Sequence, residues 1–264
     1  MAGKEKEVVF QMRFAAKRLR RVIDKEMSPR KREIIAGSAF KELLHVSGFA
    51  APMELIEFVA MHTNPRLREF RFKNKSILFT REMVKKVLGV PSGPRQMDML
   101  KRSVPSDLRD MYKNEAGRPS LARAIEVLKS CPDTDVETVI RSFGLVAFGT
   151  VLCPGTGNMV RCEYLGSMMD VNAIDQYAID EHILCEVMRE VEVFQKKIEK
   201  RRELDVTKIQ WIGQCLPMLA VFHFSYLPFV FFSQTIYMDS VFLCLPNVAF
   251  YVCSFFCRSS TWIS

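Results

Sequence analysis

The spacing of apolar residues predicts that most of this chain is helical. Apolar residues recur at three- and four-residue steps from Val8 to Ile23, and again from Ile174 to Ile198, which is the pattern of an amphipathic helix. Residues 136–148 become almost wholly apolar in their second half. A helix that is apolar on all sides lies in the interior of a domain, so we expect this segment to be a core helix.

Local start and stop signals define further helices. Ser28 followed by Pro29 is typical of a helix N-terminus, and Thr80 precedes a helical pattern that Gly89 ends before Pro91. Further predicted segments are helices at residues 52–61 and 121–128, and a long polar loop at residues 91–120 with a short helix near Leu108.

One segment has the alternation of a β-hairpin. Residues 69–72 and 76–79 alternate apolar and polar positions on either side of the turn Lys73-Asn74-Lys75. The predicted fold class is therefore mainly α: a compact helical domain with one small β-hairpin at about residues 69–79 and an apolar C-terminal tail.

Basic charge is concentrated at the N-terminus. The chain has 38 Lys and Arg against 30 Asp and Glu, and residues 1–35 hold eleven of the basic and five of the acidic residues. We interpret residues 1–35 as a basic helical leader, either a solvated helix or a surface that binds nucleic acid without sequence preference. Its basic clusters also have the spacing of a two-part nuclear import signal. The candidate nucleic-acid-binding residues are Lys17, Arg18, Arg20, Arg21, Arg30, Lys31 and Arg32.

Charge disappears near the C-terminus. No Lys, Arg, Asp or Glu occurs from Ile209 to Met238. This stretch fits a membrane span, except that Pro217 and Pro228 interrupt it. Alternatively, residues 209–222 form a last core helix of the domain. In that case the residues after them are not part of the native protein, since their composition is that of a translated intron.

These boundaries predict three parts. We expect the leader at residues 1–35, a helical domain at residues 36–222, and a hydrophobic tail at residues 223–264 that is non-native or membrane-associated. We expect the tail to associate with a membrane only if it is part of the native protein.

No pattern of residues predicts an enzyme. A cysteine peptidase would need Cys215 activated beside a histidine, and His182, the nearest one upstream, lies within a predicted helix. Cys153 and Cys162 together with His182 and Cys185 lack the paired spacing of a zinc site, so we expect buried thiols and an exposed histidine. The turn at residues 153–157 lacks the end of a phosphate-binding loop. We therefore expect no catalytic residue, metal or cofactor.

Three blocks of sequence resemble a known family. They run from Phe40-Lys41-Glu42-Leu43-Leu44 to Phe70, from Ser76 to Gly93, and from Ile140 through Pro154 to Tyr164-Leu165 and on to residues 170–174. Across about residues 28–222 the chain resembles the plant mobile domain proteins, also labelled aminotransferase-like, which are transposon-derived. The block that contains Leu88-Gly89-Val90-Pro91 is the most specific part of the resemblance.

The resemblance implies a mostly helical, nuclear, non-enzymatic module with unidentified protein partners. The aminotransferase-like label does not imply that activity, since the chain offers no pyridoxal-binding architecture. The leading hypothesis is an interaction module for protein or nucleic acid. The alternative is a membrane-anchored protein with residues 1–208 in the cytosol, and a third option is the remnant of a protease-containing element.

Overall fold

The computed structural model describes residues 9–48, 53–100, 104–155, 157–200 and 209–219. The α-helices are α1 (Ala16–Lys25), α2 (Pro29–Ala36), α3 (Met53–Met61), α4 (Arg81–Leu88), α5 (Ser106–Met111), α6 (Leu121–Ser130), α7 (Val136–Ala147) and α8 (Ile179–Glu199). The strands are β1 (Phe10–Met12), β2 (Thr63–Asn64), β3 (Glu69–Phe72), β4 (Lys75–Leu78) and β5 (Gln210–Ile212). Helical residues predominate, which confirms the predicted mainly α fold class.

The predicted helix ends have the expected geometry. The Ser28 side chain accepts a hydrogen bond from the Lys31 backbone N–H at 3.1 Å, and Pro29 is the first residue of α2. Thr80 accepts from the Met83 N–H at 3.4 Å at the start of α4. Gly89 ends α4 in the left-handed conformation with a φ of 62°. These boundaries are confirmed.

Helix α7 is the central core element. Its buried residues are Val139, Ile140, Ser142, Phe143, Gly144, Leu145, Val146 and Ala147. Helices α2 and α6 pack against it. The chain then widens into a π-helical turn, Phe148–Leu152, and the Phe148 ring stacks on Tyr164 with 4.0 Å between centroids. The predicted core helix is therefore confirmed, although its α-helical part ends one residue earlier.

The N-terminal helices belong to the same core. Leu19 of α1 and Ile35 of α2 are fully buried among the core residues. The core therefore continues across residue 35, where the charge pattern placed a boundary. The helix predicted from Val8 is wrong in its first part, because Phe10–Met12 forms β1. This strand pairs in parallel with β5, and that pairing across the chain overrides the local helical spacing.

The predicted hairpin is confirmed and belongs to a slightly larger sheet. Strands β3 and β4 pair antiparallel with Phe72 opposite Lys75, so the hairpin loop has two residues. Lys73 is the residue of the turn with a positive φ, 52°. The two-residue strand β2 adds to the other side of β3, in the order β2-β3-β4.

Helix α8 starts at Ile179 rather than at residue 174. Residues Val171–Gln176 form a 3-10 turn instead. The next residue, Tyr177, pairs with Arg95, which holds the chain extended just before α8. A long-range contact therefore delays the helix that the local spacing predicts.

The segment after residue 208 completes the core but begins as a strand. A helix was predicted from Ile209, yet residues 210–212 form β5. Core residues of this segment are Ile212, Cys215, Leu216, Met218 and Leu219. The predicted tail at residues 223–264 lies outside the described residues. Within the described ranges, no helix combines the length and apolarity that crossing a bilayer requires.

Candidate nucleic-acid interface

Helix α1 has one apolar face and one basic face. Its buried residues are Ala16, Leu19, Val22 and Ile23. Lys17, Arg21 and Lys25 are exposed, and their four-residue spacing places them along one side of the helix. At 1.5 Å per residue, neighbouring members are about 6 Å apart and the row spans about 12 Å. We call these three residues the α1 stripe.

The charges of the α1 stripe are not neutralised by the fold. Among the residues that the structure describes, no carboxylate forms an ion pair with Lys17, Arg21 or Lys25. Arg20 on the same helix differs, because its Nε lies 2.8 Å from Asp24 Oδ2 and its Nη1 donates to the Leu44 carbonyl at 3.0 Å. The α1 stripe is therefore available to an anionic partner, while Arg20 is already bonded.

Arg18 attaches α1 to the rest of the domain. Its Nη1 donates to Asn158 Oδ1 at 2.9 Å. Burial of the guanidinium lowers the pKa of Arg18 from its usual value. Of the candidate residues on α1, Lys17 and Arg21 are thus the two that are exposed and form no ion pair with a described residue.

The candidate residues on α2 do not form one surface. Arg30 is exposed and its Nη1 lies 2.9 Å from Glu33 Oε2, while Arg32 is half-buried. Lys31 is only 3% exposed. Its ammonium donates to the carbonyls of Leu128 and Lys129 at 2.8 and 2.9 Å, at the C-terminal end of α6. Lys31 therefore joins α2 to α6 and cannot reach a phosphate in this conformation.

Replacing Lys31 by Met is expected to lower the free energy of unfolding by about 1–3 kcal/mol. The substitution leaves the Lys129 carbonyl without its ammonium donor and the Leu128 carbonyl with only the Cys131 thiol at 3.4 Å. It also removes the ion pair to Asp133 and a cation from the negative end of the helix dipole. Urea denaturation measures the change. Arg30→Met is the matched control, because its ion pair is exposed, and its effect should stay within about 0.5 kcal/mol. Equal losses in the two variants would contradict the structural role of Lys31.

Sequence reasoning missed Lys25 as a member of the α1 stripe. It lies four residues after Arg21, as Arg21 lies four after Lys17. Because the prediction was drawn from dense basic clusters, an isolated lysine followed by Glu26 was left out. A search for four-residue spacing among the basic residues of this predicted helix identifies Lys25.

The groups considered for catalysis are not activated. Cys215 is 1% exposed, and burial raises the pKa of its thiol to about 12. A thiol is nucleophilic as the thiolate, so Cys215 lacks the property that a peptidase needs. His182 is half-buried rather than exposed as predicted, and its Nε2 lies 3.4 Å from the Tyr164 hydroxyl. Burial lowers the pKa of His182 below its usual value.

The four residues weighed for zinc do not form one metal-binding group, although Cys153 and His182 both interact with the Tyr164 side chain. Cys153 and Cys162 are buried, and burial raises the pKa of both thiols. Cys185 is exposed, so the expectation of a buried thiol is wrong for this residue, and its Sγ lies 3.3 Å from an Arg68 guanidinium nitrogen. Within the described part of the chain, no group of three or more His, Cys, Asp or Glu side chains is placed to hold a metal ion.

One open cavity lies beside the three-stranded sheet. It has a volume of about 570 Å³, and its lining residues are Met61, His62, Thr63, Asn64, Pro65, Arg66, Arg71, Glu192 and Gln195. Gln195 donates to the carbonyls of Ala60 and Thr63 at 2.7 Å each, so its amide is used to hold α8 to α3 and β2. Within this lining the Thr63 hydroxyl donates to the Val59 carbonyl at 2.7 Å, and His62 Nδ1 lies 2.8 Å from the Phe58 carbonyl. These two side chains are bonded to the backbone rather than paired as nucleophile and base, and we assign the cavity no reaction.

The described residues form a mainly helical domain in which α1 carries a row of exposed cations. Residues 12–220 match the family described as "Domain of unknown function (DUF8566)", and the chain belongs to this family. The matched range includes α1 and α2 and ends next to the last described residue, Leu219. Comparisons with curated proteins and with solved structures found no match.

Proposed function

We propose that this chain is a non-enzymatic interaction module of the nucleus, in which the α1 stripe binds the phosphate backbone of nucleic acid without sequence preference. The observation that carries the proposal is the row of three exposed cations on one face of α1, none of them paired within the described residues. The opposite face of α1 is fixed in the core by Leu19 and Val22, so the row is held on a rigid element.

The dimensions of the α1 stripe suit a nucleic-acid backbone. Each strand of a duplex carries one phosphate charge per about 3.4 Å of axis, so a row of about 12 Å spans about three or four phosphates of one strand. Three cations can each lie near one of them. Contacts of this kind add affinity that does not depend on base sequence and that decreases as salt displaces the protein.

The salt dependence of binding tests the proposal. Each phosphate contact contributes about 0.9 to the slope of log affinity against log salt concentration for duplex DNA. The variant Lys17→Ala/Arg21→Ala/Lys25→Ala should therefore reduce this slope by about 2.7. Fluorescence anisotropy of a labelled duplex, titrated with the full chain at several salt concentrations, measures it.

A second triple variant serves as the control. Lys41→Ala/Lys85→Ala/Lys86→Ala removes the same charge from exposed positions outside α1, so it should leave the slope within one contact of the parent value. If both triple variants lower the slope equally, net charge rather than the α1 stripe determines binding. A parent protein without salt-dependent binding would refute the proposal outright.

We also propose that the chain is related to the plant mobile domain proteins. The block at residues 76–93 that carries the resemblance forms β4, α4 and the loop after it. The buried thiols Cys153 and Cys215 fit a module without a nucleophile. Cell fractionation separates this proposal from the membrane-anchored alternative: recovery in the salt-extractable nuclear fraction supports the nuclear module, and retention in membranes after a carbonate wash contradicts it.

A further inference from the structure

Strand β4 forms one edge of the three-stranded sheet. The strand order is β2-β3-β4, and no strand of the described residues pairs with the outer side of β4. Three of its four residues, Lys75, Ser76 and Leu78, are exposed, and Leu78 is 60% exposed. The strand contains neither a proline nor a bulge, two features that commonly block an edge.

The register shows which backbone groups of β4 are free. Phe72 and Lys75 flank a two-residue loop, so they exchange hydrogen bonds, and the next pair, Arg71 and Ser76, does not. The Arg71 N–H donates away from β4, to the His62 carbonyl at 2.8 Å, which confirms this alternation. The backbone N–H and C=O groups of Ser76 and Leu78 therefore point outward along the free edge.

The charge at this edge is positive and not compensated. Residues 70–81 contain four basic residues and no acidic one. Arg71 is paired with Glu69, and Arg81 with Asp180. Lys73 and Lys75 have no ion pair among the described residues and are exposed. The free edge is thus bordered by two unneutralised ammonium groups.

This charge decides between two partners for the edge. A second copy of the chain would bring four ammonium groups to one seam, and like charges across paired strands are destabilising. An extended segment with carboxylates would instead place opposite charges across the seam, while an apolar residue of that segment could cover Leu78.

We propose that β4 binds an extended acidic segment of a partner protein by strand addition. The outward groups of Ser76 and Leu78 supply the backbone hydrogen bonds, and Lys73 and Lys75 select acidic side chains. This site is independent of the α1 stripe.

The probe for this proposal is a short blocked peptide that alternates Glu and Val, added to the full chain. Amide hydrogen exchange followed by NMR should show new protection at Ser76 and Leu78, whereas Lys75 and Ile77, already bonded to β3, should change little. Ser76→Pro removes one outward donor and should weaken binding at least about tenfold, while Ser76→Ala should leave it unchanged. Thermal melting of both variants reports whether the fold is retained.

A charge exchange provides a second test that does not alter the backbone. Lys73→Glu/Lys75→Glu should lose binding of the Glu-Val peptide at least about tenfold and gain binding of a Lys-Val peptide. The proposal is overturned if this variant binds the Glu-Val peptide as the parent does. Protection that appears at other amides also overturns it. If Ser76 and Leu78 become protected without peptide as the protein concentration rises, the edge binds a second copy of the chain and the proposal is likewise overturned.

Discussion

Arg81→Met should lower the free energy of unfolding by about 3 kcal/mol, because it leaves a buried carboxylate without its cation. Asp180 is fully buried, and the Arg81 guanidinium bonds both of its carboxylate oxygens, at 3.0 and 3.2 Å. Breaking such a pair from one side costs about 3–5 kcal/mol. We expect the lower end of that range, since Arg81 itself is 33% exposed and water can partly replace it. Urea denaturation of the two proteins gives the difference.

Two further variants identify the cause of that loss. In an Asp180→Asn background, Arg81→Met should lower the free energy of unfolding much less, because the side chain at position 180 then carries no charge that needs a cation. An unchanged cost in that background would show that the loss arises from the other contacts of Arg81, to Ser92 and the Gly93 carbonyl. Arg30→Met, which breaks an exposed pair, should again change the stability by no more than about 0.5 kcal/mol.

The parts of the fold that the sequence predicts are those whose causes are local. Ser28 caps α2 through a residue three positions away, and Thr80 caps α4 in the same way. The hairpin of β3 and β4 likewise depends on alternation and a two-residue loop. Each of these signals is contained within a few neighbouring residues, so it is visible without knowledge of the tertiary structure.

The parts that the sequence does not predict depend on contacts between distant residues. Strand β1 pairs with β5 from the other end of the domain, and no local sequence pattern predicts this pairing or its register. Lys31 belongs to a basic cluster in the sequence, yet its ammonium bonds carbonyls 97 and 98 residues away. The candidate interface was predicted as a charged segment. Burial divides it into the α1 stripe on the surface and structural cations such as Lys31.

The block that carries the family resemblance has a clear structural role. Arg81 bonds Ser92, the Gly93 carbonyl and Asp180, which ties α4 to α8 and to the loop that follows α4. The Gly93 N–H in turn donates to the Tyr177 carbonyl at 3.0 Å. This block therefore determines how α4 docks on α8.

Gly93→Ala is the second substitution for which we expect a large effect, because the loop approaches residues 175–176 too closely for a side chain. A Cβ atom at Gly93 would lie 2.0 Å from the Gln176 carbonyl carbon and 2.6 Å from the Asp175 carbonyl oxygen. Backbone atoms cannot rotate away as the end of a side chain can, so the loop would have to move and lose the Gly93–Tyr177 hydrogen bond. Overpacking of this kind costs typically about 1–3 kcal/mol, and the lost bond adds about 1 kcal/mol.

Gly37→Ala is the matched control for this prediction. A Cβ atom at Gly37 would meet only the Ile34 and Glu33 carbonyl oxygens, at 3.6 and 3.8 Å, and its φ of −88° suits any residue. That substitution should leave the stability unchanged or raise it by about 0.4–1 kcal/mol through the lower entropy of the unfolded chain. Urea denaturation of both variants therefore separates the close approach at Gly93 from a general effect of replacing glycine. If Gly93→Ala is as stable as Gly37→Ala, the loop does not hold α4 against α8 in the manner described.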